Sequence, residues 1–474
     1  MSRTNDLCFT PAAVLAAAIA ARELSPVELM NAVLERLDGV EQRINAFAAV
    51  DREGALVAAR AAEAAVLKGG PLGPLHGLPV SVKDLVPVAG LPTRFGSRTS
   101  DAAPAKEDGA VVARLRAAGA IPFGKTTTPE HGCKSLTDSP LTGVTRNPWN
   151  LAHTPGGSSG GAGAALAAGV APLAIGSDGG GSIRIPASCS GVFGLKPTFG
   201  RVPRYPTANA WAQWSVTGPL ARTVRDGALL FSVIAGRDAR DPLTVFATAE
   251  DWLGQLEGGL DGLRIAWSPD LGYARLDPEV RRLTTAAAQT FAELGAELVE
   301  DGPGFARPTP AFMTMFTVNF ANVMGPHLRA RREEIDPYMV SLVERGQRVG
   351  AVEHLRAFEV CSQLQLTLAR FFERYDLLLT PVLAHPPLPV DHRMLDGITV
   401  DGEHFPEMRD GYNPFTFPFN MSGNPSASVP CGFAAGNLPV GLQIAGALGS
   451  EGLILRVAAA FEAARPWAQK RPAF

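Results

Sequence analysis

From about Leu78 onward the chain alternates short, uninterrupted apolar runs with longer helical stretches, and no other feature constrains its fold as much. "LPVSVKD", "AIPFGKT", "APLAIGS", "GVFGLKP", "LRIAWSP" and "YDLLLTP" have the length and continuity of strands buried on both faces. Helices are predicted between them near 109–118, 159–169, 223–235 and 278–294. Such alternation predicts an α/β fold, a large mixed β-sheet core flanked by helices on both faces.

The N-terminal stretch up to Gly70 reads differently, as helices near 11–22, 26–40 and 52–67 with a short strand in "INAFAAV" at Ile44 to Val50. The apolar "AAVLAAAIAA" resembles the core of a secretion signal. Thr10 as an N-cap before Pro11, with Arg22 and Glu23 continuing a polar face, makes it an ordinary first helix instead. "AGAALAAGVAPLAIG" is too short, and too broken by glycine and Pro172, to span a bilayer. The segment 304–373 is mainly helical, and its Phe- and Met-rich stretch Phe312 to Met324 has the spacing of core more than of pocket. No repeat or composition break divides the chain. We expect one domain over 1–474: a helical segment over 1–70, a core over 71–235, and helices and loops at 304–420 that shape a pocket, including the proline-rich excursion His385 to Gly397.

A net charge of −3 over 474 residues gives no electrostatic case for nucleic acid or a membrane surface, so the expected partner is a small molecule. The cysteines Cys8, Cys133, Cys189, Cys361 and Cys431 are scattered, odd in number and free of C-x-x-C spacing. That pattern predicts a reducing cytoplasm and no structural metal.

Three motifs compete for the chemistry. "GAIPFGKT", Gly119 to Thr126, fits the phosphate-binding G-x-x-x-x-G-K-[ST] pattern, but Pro122 lacks an N–H, and Ile121 and Phe123 belong to a strand rather than a flexible cradle. "GSSGG", Gly157 to Gly161, fits G-x-S-x-G around Ser159. That elbow needs a strand before it, and "NPWNLAHTPG" is none; no context marks His327, His354, His385, His392 or His404 as a partner. The third is a constellation. Lys83 closes a buried strand, and two serine–glycine clusters follow, "PGGSSGG" and "GSDGGGSIRIP". A lysine in apolar surroundings loses its proton more easily and can serve as the base that a serine nucleophile needs. A lysine whose ammonium reaches out to water would fit the same position. Three consecutive glycines, Gly179 to Gly181, suit either a tight turn or close approach of backbone to a ligand.

The stretch "GGSSGGAGAALAAGVAPLAIGSDGGGSIRIPASCSGVFGLKPT" resembles the defining segment of the amidase signature family over nearly its whole length. The separations agree too: residues 83, 158 and 182 are 75 and 24 apart. "GPLHGLPVSVKDL", "GAIPFGKTTTPEHG", "TRNPWN", "GPLARTVRD", "DLLLTP" and "LPVGLQIAG" extend the likeness to most of the chain. The resemblance implies Ser182 as nucleophile, Ser158 as a bridging serine preceded by a cis peptide bond from Gly157, and Lys83 as base. It also implies permissive backbone at Gly156, Gly157, Gly160 and Gly161. The N–H groups of Gly179, Gly180, Gly181 and Ser182 would form the oxyanion hole, with Ser159, Asp178 and Arg184 in support. An ordinary salt bridge at Asp178–Arg184 and a helix N-cap at Ser159 are compatible with those roles. Gly179 stands where many relatives carry a larger residue. "FTVNFANVMGPHLRARREEIDP" does not resemble the acid-binding segment of the amidotransferase subunits, which argues against that role. The expected activity is cofactor-free hydrolysis of a small amide through an acyl-enzyme. Anilides, carbamates (urethanes) and esters are further candidates, and the oligomeric state is open, a homodimer included.

Overall fold

The computed structural model describes residues 3–207, 214–248 and 250–473. Its framework is one sheet of eleven strands in the order Phe47–Val50, Ile121–Thr126, Pro79–Lys83, Leu173–Asp178, Val216–Ala221, Phe193–Lys196, Ser426–Ala434, Leu438–Gly446, Leu377–Pro381, Arg264–Trp267, Glu297–Glu300. The sheet is mixed. Pro79–Lys83 runs parallel to both of its neighbours, whereas the middle of the sheet, from Leu173–Asp178 to Leu377–Pro381, is antiparallel throughout. Every residue of Pro79–Lys83, Ile121–Thr126, Leu173–Asp178 and Leu377–Pro381 is buried, the physical reason these segments read as continuous apolar runs.

The helices fall close to their predicted places, at Pro26–Ile44, Arg52–Lys68, Ala110–Ala117, Gly160–Ala167, Val224–Ile234 and Pro278–Glu293. Ser25 accepts from the amides of Val27 and Glu28 and starts the first of these. Thr10 does not do the same for Ala12–Ala20. A preceding helix, Arg3–Phe9, had no signal in the sequence, and the Thr10 hydroxyl closes it by donating to Asp6 O. The amides at the start of Ala12–Ala20 go instead to a side chain far along the chain. Ala12 N and Ala13 N each donate to the buried Asp226 carboxylate at 2.9 Å, and Arg222 donates to Thr10 O. A sequence window cannot show a cap supplied from that distance.

The Phe- and Met-rich stretch lies in a long helix, Thr309–Arg331, followed by Pro337–Gly346 and Ala351–Phe371. Phe312, Met313, Met315, Phe316, Phe320 and Met324 are buried in a second apolar cluster, distinct from the one under the sheet. No described helix is long and apolar enough to cross a membrane.

Asp226→Ala removes the acceptor from two helix-start amides, at a cost of about 1–3 kcal/mol. Chemical denaturation should report a lower unfolding midpoint. An unchanged midpoint would mean that packing alone docks the segment that ends at Ala20.

Candidate active site

Lys83 and Asp178 end two adjacent parallel strands, so both emerge at one edge of the sheet, where an open α/β sheet presents its ligand-binding residues. The Lys83 side chain is 0% exposed. Its Nζ donates to Ser158 Oγ at 2.7 Å and to Ser177 Oγ at 3.1 Å. Neither partner carries a charge. Burial lowers the Lys83 ammonium to about 7; the charge on Asp178 opposes this, and Arg204 adds to it.

Ser158 follows a cis peptide bond from Gly157 and is buried. The glycines around it are sterically required. A Cβ on Gly157 would fall 2.5 Å from Leu136 O, and one on Gly160 would fall 2.2 Å from Thr137 Oγ1. Ser159 stands at the N-cap position of Gly160–Ala167, but its side chain caps nothing. Its Oγ donates to Ser177 O and accepts from Ser177 N, which ties the serine loop to the strand that carries Asp178. Its amide donates to Ser182 O at 3.2 Å, bringing the two serine–glycine clusters together. Ser182 is partly exposed, unlike Lys83 and Ser158.

Asp178 and Arg184 form a fully buried, bidentate ion pair with distances of 2.9 Å. Burial would raise the Asp178 carboxyl, but Arg184, Lys196 and Asn420 hold it well below the usual carboxylate range. The same carboxylate accepts from the amides of Gly181 (2.7 Å) and Ile183 (3.1 Å). The expected oxyanion hole is therefore corrected at Gly181: its N–H is committed to Asp178 Oδ1. What Gly181 contributes is backbone. Its φ is +120°, and a Cβ there would sit 2.4 Å from Thr416 Oγ1. Thr416 Oγ1 donates to Gly180 O and fixes the turn from the other side. Among the described residues the amides of Gly179, Gly180 and Ser182 make no hydrogen bond within the protein.

Several members of the site had no signal in the sequence. Ser177 is the second partner of Lys83, and its position at the polar end of an apolar run was the available hint. Thr416, Asn420 and Gln443 reach in from the C-terminal end of the chain to hold Gly180, Asp178 and Arg184. The two rejected motifs are also explained. Residues 121–126 of the phosphate-loop match are strand, and its Lys125 is buried in an ion pair with Asp84 at 2.9 Å. Loop, not strand, precedes Ser159.

Comparison with known proteins identifies the class of enzyme, an amidase. A family model described as Amidase matches residues 28–455. An acylamidase of Rhodococcus erythropolis is 40% identical over 471 residues, 99% of this chain and 98% of the relative. The A subunit of the Glutamyl-tRNA(Gln) amidotransferase of Salinispora arenicola is 37% identical over 491 residues, covering 97% and 98% of the two chains. The crystal structure of a bacterial aryl acylamidase superposes with a TM-score of 0.91 at 29% identity, covering 97% of each chain. The chain belongs to the amidase signature family.

Gly181→Ala should force the turn that carries Ser182 away from Thr416. Displacements of about 1 Å at a reacting group cost about 10² in rate, so kcat on any amide the parent hydrolyses is expected to fall by that order. Parental kcat in this variant would mean that the turn relaxes freely.

Proposed function

We propose that Ser182 is the nucleophile of an acyl-transfer hydrolase, that Lys83 is its base, and that Ser158 relays the proton between them. The observation that carries this reading is the contact between a fully buried lysine with no hydrogen-bonded carboxylate and the buried Ser158 hydroxyl at 2.7 Å. Neutral Lys83 accepts the Ser158 proton as Ser158 accepts that of Ser182, and Ser182 Oγ bonds to the substrate carbonyl carbon. The carbonyl oxygen becomes an oxyanion facing the free amides of Gly179, Gly180 and Ser182. Collapse breaks the C–N bond while the proton returns through Ser158 to the leaving nitrogen. Water then attacks the acyl-enzyme by the same relay and releases the acid. These steps draw on three side chains, three backbone amides and one water.

The substrate is a small linear amide, with anilides, carbamates and esters as further targets. The acylamidase and aryl acylamidase relatives support the amide and anilide members of that set. Segments within 304–420 wall the pocket, since Phe312 lies 3.0 Å from where a Gly180 Cβ would stand. Five free cysteines support a reducing cytoplasmic setting. The amidotransferase relative favours a second reading, a chain that hydrolyses its amide only within an assembly.

The test is the hydrolysis of a primary amide, an anilide, a carbamate and an ester built on one aromatic scaffold, by the isolated chain. Ser182→Ala should lose about 10⁴- to 10⁶-fold in kcat and no longer form the adduct with a fluorophosphonate. An adduct without turnover of any of the four would favour the amidotransferase reading, and an adduct that persists in Ser182→Ala would refute the nucleophile.

Lys83 must be neutral to act, so kcat/KM should be level above pH about 7 and fall about tenfold per unit below it. A pH-rate profile checks this, with Lys83→Ala expected to abolish the reaction while the circular dichroism spectrum is retained. A rate independent of pH between 5 and 8 would remove lysine from the base role.

A further inference from the structure

Arg409 is the buried cation that the proposed relay does not use. Its side chain is 4% exposed and stacks over two rings, 5.3 Å from the Phe312 centroid and 4.7 Å from that of Phe316. Its hydrogen bonds are few and long, from Nη1 to Ser135 Oγ and from Nη2 to Cys133 O, both 3.4 Å. Nε is buried with no acceptor. No ion pair to its guanidinium is present among the described residues. Glu407 turns its carboxylate to the Arg409 backbone N–H and to Arg345, and Asp410 pairs with Arg307. The Tyr338 hydroxyl, its pKa raised by burial and by Glu407 and lowered by Arg409, is likewise buried with no partner; Glu407 feels the charge of Arg409 but forms no ion pair with its guanidinium.

Other buried arginines of this chain are treated differently. Arg184 is matched by Asp178, Asn420, Gln443 and Thr416 O, and Arg222 donates to three backbone carbonyls. A buried guanidinium has five N–H donors and is costly to leave without an anion. Arg409 is short of acceptors, and it is short of them beside the reacting groups. Its Nη1 lies 3.5 Å from where a Cβ on Gly180 would stand, two positions before Ser182. A side chain at Gly180 would press on Phe312 at 3.0 Å, so the glycine is what lets the turn lie this close to the guanidinium.

We propose that Arg409 is a specificity-determining residue that binds a carboxylate carried by the amide substrate, with the Phe312 and Phe316 rings holding the fork in place. This rests on Ser182 marking the reactive centre, and it narrows the substrate class to amides bearing an acid group.

Binding to the Ser182→Ala full chain, measured by calorimetry, tests this without requiring turnover. Two pairs are compared: adipic acid monoamide with hexanamide, and N-acetyl-β-alanine with N-propylacetamide. In at least one pair the carboxylate should bind about 10- to 100-fold tighter, the range of a charge-assisted bidentate contact. Adding Arg409→Gln should bring that ratio close to one. Should this variant fail to fold, Arg409→Lys, which keeps the charge and loses the planar fork, should lower the same ratio. Equal affinities within both pairs, or a preference unchanged in the Arg409 variants, would overturn the proposal. Carboxylate-selective binding alongside a parent chain that hydrolyses nothing would count against the hydrolase reading and leave the anion site standing.

Discussion

The Asp178–Arg184 ion pair is the interaction on which the rest of the site depends. Asp178 ends a central strand, and its two oxygens take the amides of Gly181 and Ile183 on either side of Ser182. Arg184 continues outward to Thr416 O, Asn420 and Gln443, so one pair joins the glycine turn to the C-terminal half of the chain. Removing one member of such a pair typically costs about 3–5 kcal/mol, because the other charge stays buried. The cost here would fall on the turn that presents the serine. Asp178 also reaches the lysine: its charge favours protonated Lys83, but burial outweighs it and Arg204 adds to burial.

Four buried lysines in this fold show why adjacency matters more than a lowered proton affinity. Lys125, on the strand beside that of Lys83, is held by Asp84 and by two further oxygens, Pro92 O and Thr93 Oγ1. Lys134 lies between Asp138 and Asp336, whose charges outweigh burial and raise it. Lys196 is as buried as Lys83 and also lowered by burial to about 7, yet it donates only to Pro197 O. Lys83 alone among them contacts serine hydroxyls, which satisfy its N–H groups without supplying negative charge. Hydroxyl partners in dry surroundings keep the amine both ordered and available for a proton.

The elements of this arrangement legible in the sequence are those encoded locally. Buried parallel strands appear as unbroken apolar runs, and Lys83 stood out because a charge closed one of them. The serine–glycine clusters were legible because steric demand at Gly157, Gly160 and Gly181 leaves glycine little competition. The strands Ser426–Ala434 and Leu438–Gly446 were harder to read, since proline and a register shift between Pro430 and Gly432 interrupt the pattern. Asp226 capping a helix start at Ala12, and Thr416 buttressing Gly180, depend on contacts between distant stretches of chain that no local window contains. The fate of the Gly181 amide was equally hidden, because only the folded turn decides whether Asp178 or a substrate receives that proton.

The helix Thr309–Arg331 resolves what its composition left as a choice between core and pocket. Phe312 is fully buried and packs on Phe316 and Phe417, yet the same ring abuts Gly180 in the glycine turn. It belongs to the core on one side and to the wall of the site on the other. Strand ends and glycine turns from the N-terminal half of the chain bring Lys83, Ser158 and Ser182 to one edge of the sheet, while side chains from the C-terminal half surround the glycine turn. Chemistry placed on the sheet is held by backbone geometry that few substitutions tolerate. Walls built from Phe312, Arg409 and their neighbours are set by side chains alone, so they can change while the glycine turn they face stays fixed.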